Sequence, residues 1–202
     1  MKALGIYGGS FDPIHLGHLL LAETAREELG LEKVIFVPAA QSPMKTHRPY
    51  ISNPDRVALI RLAIRENPAF AFSEVELKRE PPSYTVDTLS FFRQAYPGHD
   101  LFLLMGQDSL NTITGWHHFQ QLFSLATLAV GVRPGFPPQL PPELEAYRTP
   151  SARSKGIVFF HNPEVAISSS AIRERLRTGK SVRYWLEPEV LKYILANNLY
   201  IE

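Results

Sequence analysis

The sequence contains no cysteine. This absence excludes disulfide bonds, thiolate metal ligands and a cysteine nucleophile. It also lacks a run of about 20 apolar residues of the kind that spans a membrane, and glycines follow the first apolar residues too soon for a signal peptide. An excess of one charge is lacking too, because 21 basic and 20 acidic residues leave a net charge of +1. We therefore expect a cytoplasmic protein with no nucleic-acid or membrane partner.

The composition that remains is that of an ordinary globular protein: 202 residues, 45% apolar and 20% charged. Short apolar runs without period-two alternation predict strands covered on both faces, with helical patterns between them. The predicted strands cover residues 3–7, 34–37, 101–105, 125–130 and 157–160. Strands that alternate with helices predict an α/β fold, a Rossmann-like doubly wound parallel sheet.

We expect one domain over residues 1–202, with a small C-terminal helical segment from about 168 to 202. A second predicted helix takes Asn53 as its cap and continues to about residue 66, and a third covers about 85–96. Residues 133–150 contain six prolines and predict a surface excursion without regular structure, either a stiff loop or a docking motif.

The stretch GGSFDPIHLGH directly follows the first predicted strand. Gly8 and Gly9 allow a ligand to approach the main chain closely. The next helix is predicted to begin near His15, so its free N–H groups face the same space, with His15 and His18 on one face. The pattern fits phosphate binding; a plain turn or a pair of metal ligands remain the alternatives.

Two other stretches offer positive charge. Ser168, Ser169 and Ser170 are cap-type residues that open a helix, and Arg173 lies in its first turn, which makes either an anion site or an ordinary cap with an exposed arginine. Lys45 follows the second predicted strand, where a lysine can reach a phosphate as a mobile point charge.

Together these stretches resemble the nucleotidyltransferase superfamily with its His-x-Gly-His motif and, within it, the bacterial nicotinate-nucleotide adenylyltransferase family. ISSSAIR resembles the family's Ile-Ser-Ser-x-x-Ile-Arg motif, PPSYTVDTL its Pro-Ser-Tyr-Thr-x-Asp-Thr-Leu segment, and MGQDSLNTITGW its Gly-x-Asp pattern followed by tryptophan. One departure is Met44, because the family commonly has histidine before the lysine.

The resemblance implies an adenylyltransferase of NAD biosynthesis, which joins ATP and nicotinate mononucleotide into nicotinate adenine dinucleotide and releases pyrophosphate. The acceptor phosphate attacks the α-phosphorus directly, so no catalytic base is required. Mg²⁺ is expected to travel on the ATP phosphates, with no certain protein ligand.

The residues that the resemblance assigns to these tasks fall into three groups. The catalytic group is His15, His18, Lys45 and Arg173. The ATP-binding group shares His15, His18 and Arg173 with the catalytic group. Its other members are Gly8, Gly9, Ser10, Phe11, Gly106, Asp108, Ile167, Ser168, Ser169 and Ser170. The group for nicotinate mononucleotide is Lys45, Ser83, Tyr84, Thr85 and Trp116, the tryptophan offering a flat face for the pyridine ring.

Three alternatives stay open at this point. The acceptor could be 4′-phosphopantetheine, although chains of that family are shorter and lack the Ser-Tyr-Thr and Gly-x-Asp…Trp segments. It could be nicotinamide mononucleotide, since the sequence does not show how the N–H groups near Tyr84 and Thr85 point. The chain could also be a nucleotide sensor without catalysis. Whether the protein forms a homo-oligomer is left open as well.

Overall fold

A computed structural model of the chain describes residues 2–44, 47–132, 139–149 and 155–201. Its six strands are all parallel and form one sheet in the order β3-β2-β1-β4-β5-β6. The strands are β1 Ala3–Gly9, β2 Lys33–Pro38, β3 Phe70–Phe72, β4 Asp100–Gly106, β5 Thr127–Val132 and β6 Ile157–His161. The predicted doubly wound parallel sheet is confirmed.

Seven α-helices accompany the sheet in the described residues, together with two short 3₁₀ helices, Ile113–Gly115 and Pro142–Tyr147. The α-helices are α1 Leu16–Glu28, α2 Asn53–Ile64, α3 Thr85–Ala95, α4 Gln107–Leu110, α5 Phe119–Leu125, α6 Ser169–Arg177 and α7 Pro188–Ala196. None of the helices described here has the length and apolar character to cross a membrane. The predicted C-terminal helical segment corresponds to α6 and α7.

The order of strands places the reversal of the sheet between β1 and β4, which pair directly, for example Ile6 with Leu103. The chain builds outward from β1 through β2 to β3, and then returns to the other side of β1 to start β4. In open parallel sheets this reversal opens a crevice at the carboxyl ends of the two strands. Gly8 and Gly106 lie at those ends, so the predicted phosphate turn faces the crevice.

The two faces of the sheet are buried in separate apolar clusters. On β1, Tyr7 belongs to the cluster that includes residues of α1, α2, α6 and α7, whereas Ile6 belongs to the cluster that includes residues of α3 and α5. Tyr7 is 8% exposed and Ile6 is fully buried. Burial on both faces removes any need for polar residues at alternate positions, which explains why the strands lack period-two alternation.

Several predicted boundaries differ from the structure. Ser52 rather than Asn53 caps α2, because its Oγ accepts a hydrogen bond from the Asp55 N–H at 3.2 Å. Leu125 ends α5 instead of starting a strand, and β5 begins at Thr127. The three-residue strand β3 and the helix α5 were not predicted.

The prediction for the proline-rich segment was wrong in part. Pro142–Tyr147 forms a 3₁₀ helix where no regular structure was predicted, and Leu144 within it is fully buried. Burial of this leucine gives the turn an apolar anchor that composition alone did not indicate. Residues 133–138 and 150 lie outside the described residues.

Candidate active site

Two adjoining cavities of about 430 and 600 Å³ lie at the carboxyl ends of the central strands. His18 lines both of them, and so does Asp108. We call the smaller one the first cavity and the larger one the second cavity. The residues common to both walls are Tyr7, His18, Gly106, Asp108 and Ser109. His18 therefore borders the junction at which molecules in the two cavities would meet.

The predicted residues divide between the cavities. The first is lined by Gly8, Gly9, Ser10, Phe11, Ser83, Tyr84, Thr85 and Trp116. The second is lined by His15, Ile167, Ser168, Ser169, Ser170 and Arg173. The glycine turn, which was predicted to bind ATP, thus contributes to the wall of the first cavity, while the serine-rich motif belongs to the second.

The two histidines of the opening motif lie together, as their spacing predicted. His15 caps α1 and its ring stacks on that of His18, with 3.7 Å between the ring centroids. The His15 backbone N–H donates a hydrogen bond to Nδ1 of His18 at 3.2 Å. Because Nδ1 accepts this bond, a neutral His18 ring carries its proton on Nε2, where it is a hydrogen-bond donor.

Burial lowers the pKa of His15 to about 4. The side chain is only 7% exposed, so the charged imidazolium would lose most of its hydration. His15 is therefore neutral at physiological pH, and it takes part in the site as a polar ring without a charge.

This depressed pKa predicts a specific loss of stability in acid. An unfolded histidine titrates near pH 6.5, so below that pH the unfolded state binds more protons than the folded state. The contribution of neutral His15 to the free energy of unfolding is therefore fully present above the pKa of the unfolded state and is lost as the pH falls toward about 4. At about pH 4.5 we expect it to cost about 2 to 3 kcal/mol.

Urea unfolding of the wild type and of His15→Asn, each at about pH 7 and about pH 4.5, measures this effect. Other groups titrate over the same range, so the informative quantity is the difference between the two proteins. The wild type should lose more unfolding free energy than the variant does. Equal losses would show that His15 is not the responsible group.

The aspartate of the motif is a structural anchor that the sequence did not reveal. Asp12 is 3% exposed. One carboxylate oxygen accepts from the Tyr50 backbone N–H at 2.8 Å and the other accepts from the Tyr200 hydroxyl at 2.7 Å. Burial and this carboxylate both raise the pKa of Tyr200, which therefore remains a hydroxyl donor. Asp12 thus anchors the predicted phosphate turn, residues 8–15, to Tyr50 and Tyr200.

Arg56 is a second buried support that sequence reasoning missed. It lies in α2 with no exposed surface. Its Nη1 donates to the Ser10 carbonyl at 2.7 Å, and its Nη2 donates to Oδ1 of Asn53 at 2.5 Å. Burial lowers the pKa of Arg56, and the nearby Asp12 carboxylate opposes that effect. The guanidinium fixes the backbone of the turn at the residue before Phe11.

The serine-rich motif joins the opening motif directly. Ser168 caps α6 by accepting from the Ala171 N–H at 3.2 Å. Ser169 Oγ donates to the Pro13 carbonyl at 2.9 Å, and Arg173 Nη1 donates to the Asp12 carbonyl at 2.7 Å. Hydrogen bonds therefore join two motifs that are about 150 residues apart in the sequence.

The first cavity receives the start of α3, with Tyr84 as the cap and Thr85 as the first helical residue. The first N–H groups of a helix lack partners within it and favour an anion. Ser83 has a further task, because its Oγ accepts from the Ala40 N–H at 3.0 Å and so holds the loop after β2. Trp116 lines the same cavity.

The polar residues of this cavity that were not predicted include His117 and Glu76. His117 stacks on Tyr84, with 4.2 Å between the ring centroids. Glu76 is 6% exposed and accepts a hydrogen bond from the Thr88 hydroxyl at 2.6 Å. Burial raises the pKa of Glu76, and its hydrogen bonds partly offset that rise. Neither residue lies in a sequence pattern that indicates a binding role, although His117 directly follows Trp116.

The predicted Lys45 lies outside the described residues, so its role stays a prediction. Its neighbour Met44, which replaces the histidine of the family pattern, lines the first cavity and is 52% exposed. His47 does not reach either cavity wall, and its Nδ1 contacts the Arg48 carbonyl at 2.9 Å. Among the residues with described positions, no group of three or more histidine, aspartate or glutamate side chains could hold a metal ion.

The chain is similar to known proteins both in sequence and in fold. The model of the family described as cytidylyltransferase-like matches residues 6–175. A relative from Thermomicrobium roseum, described as "Probable nicotinate-nucleotide adenylyltransferase", is 42% identical and covers 99% of this chain and 92% of its own. The nicotinate-nucleotide adenylyltransferase of Bacillus subtilis is 37% identical over 99% of both chains.

Among solved structures, the Plasmodium falciparum nicotinic acid mononucleotide adenylyltransferase complexed with NaAD superposes with a TM-score of 0.79. The match covers 99% of this chain and 98% of that one at 19% identity, and it shows that the two share a fold. Sequence identity with the bacterial relatives carries the assignment further. The chain belongs to the cytidylyltransferase-like family and, within it, to the nicotinate-nucleotide adenylyltransferases.

Proposed function

We propose that the protein transfers the adenylyl group of ATP to the 5′-phosphate of nicotinate mononucleotide. The observation that carries this proposal is the pair of adjoining cavities with His18 in the wall they share. A two-substrate transfer needs a place for each substrate and one point at which the reacting phosphates meet. The names of the bacterial relatives agree with this reaction.

The chemistry makes modest demands on the chain. A phosphate monoester is already an anionic nucleophile, so its oxygen attacks the α-phosphorus, the bond to the β-phosphate oxygen breaks, and pyrophosphate leaves. The protein has to align the two substrates and stabilise the developing negative charge. The Nε2–H of His18 donates a hydrogen bond to the α-phosphate. Arg173 and Lys45 stabilise negative charge on the transferred group and on the leaving pyrophosphate.

ATP occupies the second cavity in this proposal, with its phosphates toward α6. The free N–H groups at the start of this nine-residue helix and the Arg173 guanidinium both favour an anion. Nicotinate mononucleotide occupies the first cavity, with its ring on Trp116 and its carboxylate at the start of α3. A neutral amide would gain less from the α3 N-terminus than a carboxylate does, which favours nicotinate over nicotinamide.

Mg²⁺ is proposed as the ion that accompanies ATP. Asp108 is an exposed carboxylate on the wall of both cavities and fits an ion that keeps most of its water and phosphate ligands. Asp12 does not fit this task, because its two carboxylate oxygens accept from Tyr50 and Tyr200. The ion supplies charge neutralisation of the ATP phosphates when bound.

Pyrophosphate release tests the proposal, with Mg-ATP and one of three acceptors in parallel: nicotinate mononucleotide, nicotinamide mononucleotide or 4′-phosphopantetheine. We expect strong release with the first alone. Comparable release with nicotinamide mononucleotide would support adenylyl transfer but overturn the proposed recognition of the nicotinate carboxylate at the start of α3. Release with only the third would overturn the choice of acceptor, and none with any acceptor, despite ATP binding, would indicate a nucleotide sensor.

A further inference from the structure

Tyr50 presents its ring to the guanidinium of Arg173. The Cζ atom of Arg173 lies 4.1 Å from the centroid of the tyrosine ring, which is within the range of a cation–π contact. Tyr50 is 62% exposed, so the ring is not retained for burial in the core. It lies in neither cavity wall, whereas Arg173 lines the second cavity. A large exposed ring on the back of a site arginine requires an explanation other than packing.

The position of this ring is set by the phosphate turn. The backbone N–H of Tyr50 donates to the buried carboxylate of Asp12 at 2.8 Å, and the carbonyl of the same Asp12 accepts from Arg173 Nη1 at 2.7 Å. One residue of the turn thus holds both partners of the cation–π contact. The edge of the His47 ring adds a contact to Tyr50, with centroids 5.1 Å apart.

Arg173 is fixed on three sides by these contacts. Besides Asp12 and the ring of Tyr50, its Nη2 contacts Oγ of Ser170 at 3.3 Å. A guanidinium has five N–H donors in one plane, so these two hydrogen bonds leave donors for phosphate oxygens. Contact between the guanidinium face and the tyrosine ring restricts rotation of the guanidinium plane. An arginine side chain that is already restricted loses less rotamer entropy when it binds a ligand.

We propose that Tyr50 is a positioning residue that holds the Arg173 guanidinium in the orientation that grips the phosphates of the nucleotide in the second cavity. The inference rests on the proposed function for the identity of that nucleotide. Tyr50 also follows Lys45 by five residues in the same inter-element loop. The loop that contains Lys45, which is predicted to bind nicotinate mononucleotide, therefore also contains the aromatic ring that contacts Arg173.

Tyr50→Leu, Tyr50→Phe and Tyr50→Trp test the proposal, because only the first removes the aromatic face while all three retain the backbone N–H. We expect Tyr50→Leu to weaken binding of a non-hydrolysable ATP analogue and to lower kcat/KM for ATP, each by about three- to tenfold. Phenylalanine and tryptophan should preserve both values within about twofold. Tyr184→Leu is the matched control, since Tyr184 is 81% exposed and lies in neither cavity wall.

Three results would overturn the proposal: Tyr50→Leu with wild-type affinity and kinetics, Tyr50→Phe as impaired as Tyr50→Leu, or a further loss when Tyr50→Leu is added to Arg173→Met. If Tyr50→Leu has a lower Tm than the wild type, Tyr50→Gln replaces it as the variant without a ring. The affinity for the analogue is measured without turnover. A wild type that binds it but releases no pyrophosphate would therefore overturn the proposed function and leave the role of Tyr50 open to the same test.

Discussion

Replacement of His18 by alanine is expected to lower the rate of adenylyl transfer by about 100-fold or more, the scale for losing one donor to a developing oxyanion. The ring lines both cavities, and its Nδ1 accepts from the His15 N–H, so the Nε2 proton is the donor. In the proposed mechanism this donor stabilises charge that grows in the transition state. The fall should therefore be in kcat rather than in the KM for either substrate, as measured by initial-rate pyrophosphate release.

The geometry also predicts a difference between two amide substitutions. The side-chain amide of glutamine reaches the position of Nε2, whereas that of asparagine is nearer to the position of Nδ1. We expect His18→Gln to retain more activity than His18→Asn. His161→Ala is the control, because the side chain of His161 is 78% exposed and lies in neither cavity wall. Near-normal turnover in a folded His18→Ala protein would remove His18 from the mechanism.

Replacement of Arg56 by methionine is expected to lower the free energy of unfolding by about 3 kcal/mol or more. The change leaves the Ser10 carbonyl without its donor in the interior and removes the buried cation beside Asp12. Each buried polar group left without a partner costs about 1–3 kcal/mol, and an uncompensated buried charge costs more. Urea unfolding at neutral pH measures the loss.

Arg61→Met provides a matched control in the same helix. Arg61 is 64% exposed and pairs with Glu74 at 3.0 Å on the surface. A surface pair of this kind contributes about 1 kcal/mol at most, so the control should be close to the wild type. Equal effects of the two substitutions would mean that Arg56 does not support the turn from the interior.

Much of the site follows from local sequence patterns. Two glycines after an apolar run indicate the close-approach turn, and the spacing of His15 and His18 places their rings together at the start of α1. The run of serines indicates the cap of α6. Each of these features depends on residues within one turn of the chain, which is the range over which propensity and periodicity carry information.

The supports beneath the site could not be predicted in the same way. Arg56 lies in a helical pattern where an arginine is normally solvated, and only its position below the Ser10 carbonyl makes burial favourable. Tyr50 and Tyr200 contact Asp12 across 38 and 188 residues. No periodic pattern indicates such pairs, because they depend on the tertiary arrangement of loops rather than on the propensity of any segment.

The hydrogen bond between Asp12 and Tyr200 limits the order in which contacts can form while the chain is synthesised. At about 5–20 residues per second, a ribosome needs about 10 to 40 seconds to pass from one residue to the other. All six strands have been synthesised by residue 161, well before Tyr200. A nascent chain can therefore contain all six strands while the turn over residues 10–13 still lacks its hydrogen bonds from Ser169, Arg173 and Tyr200, so these three contacts can form only after the strands have been synthesised.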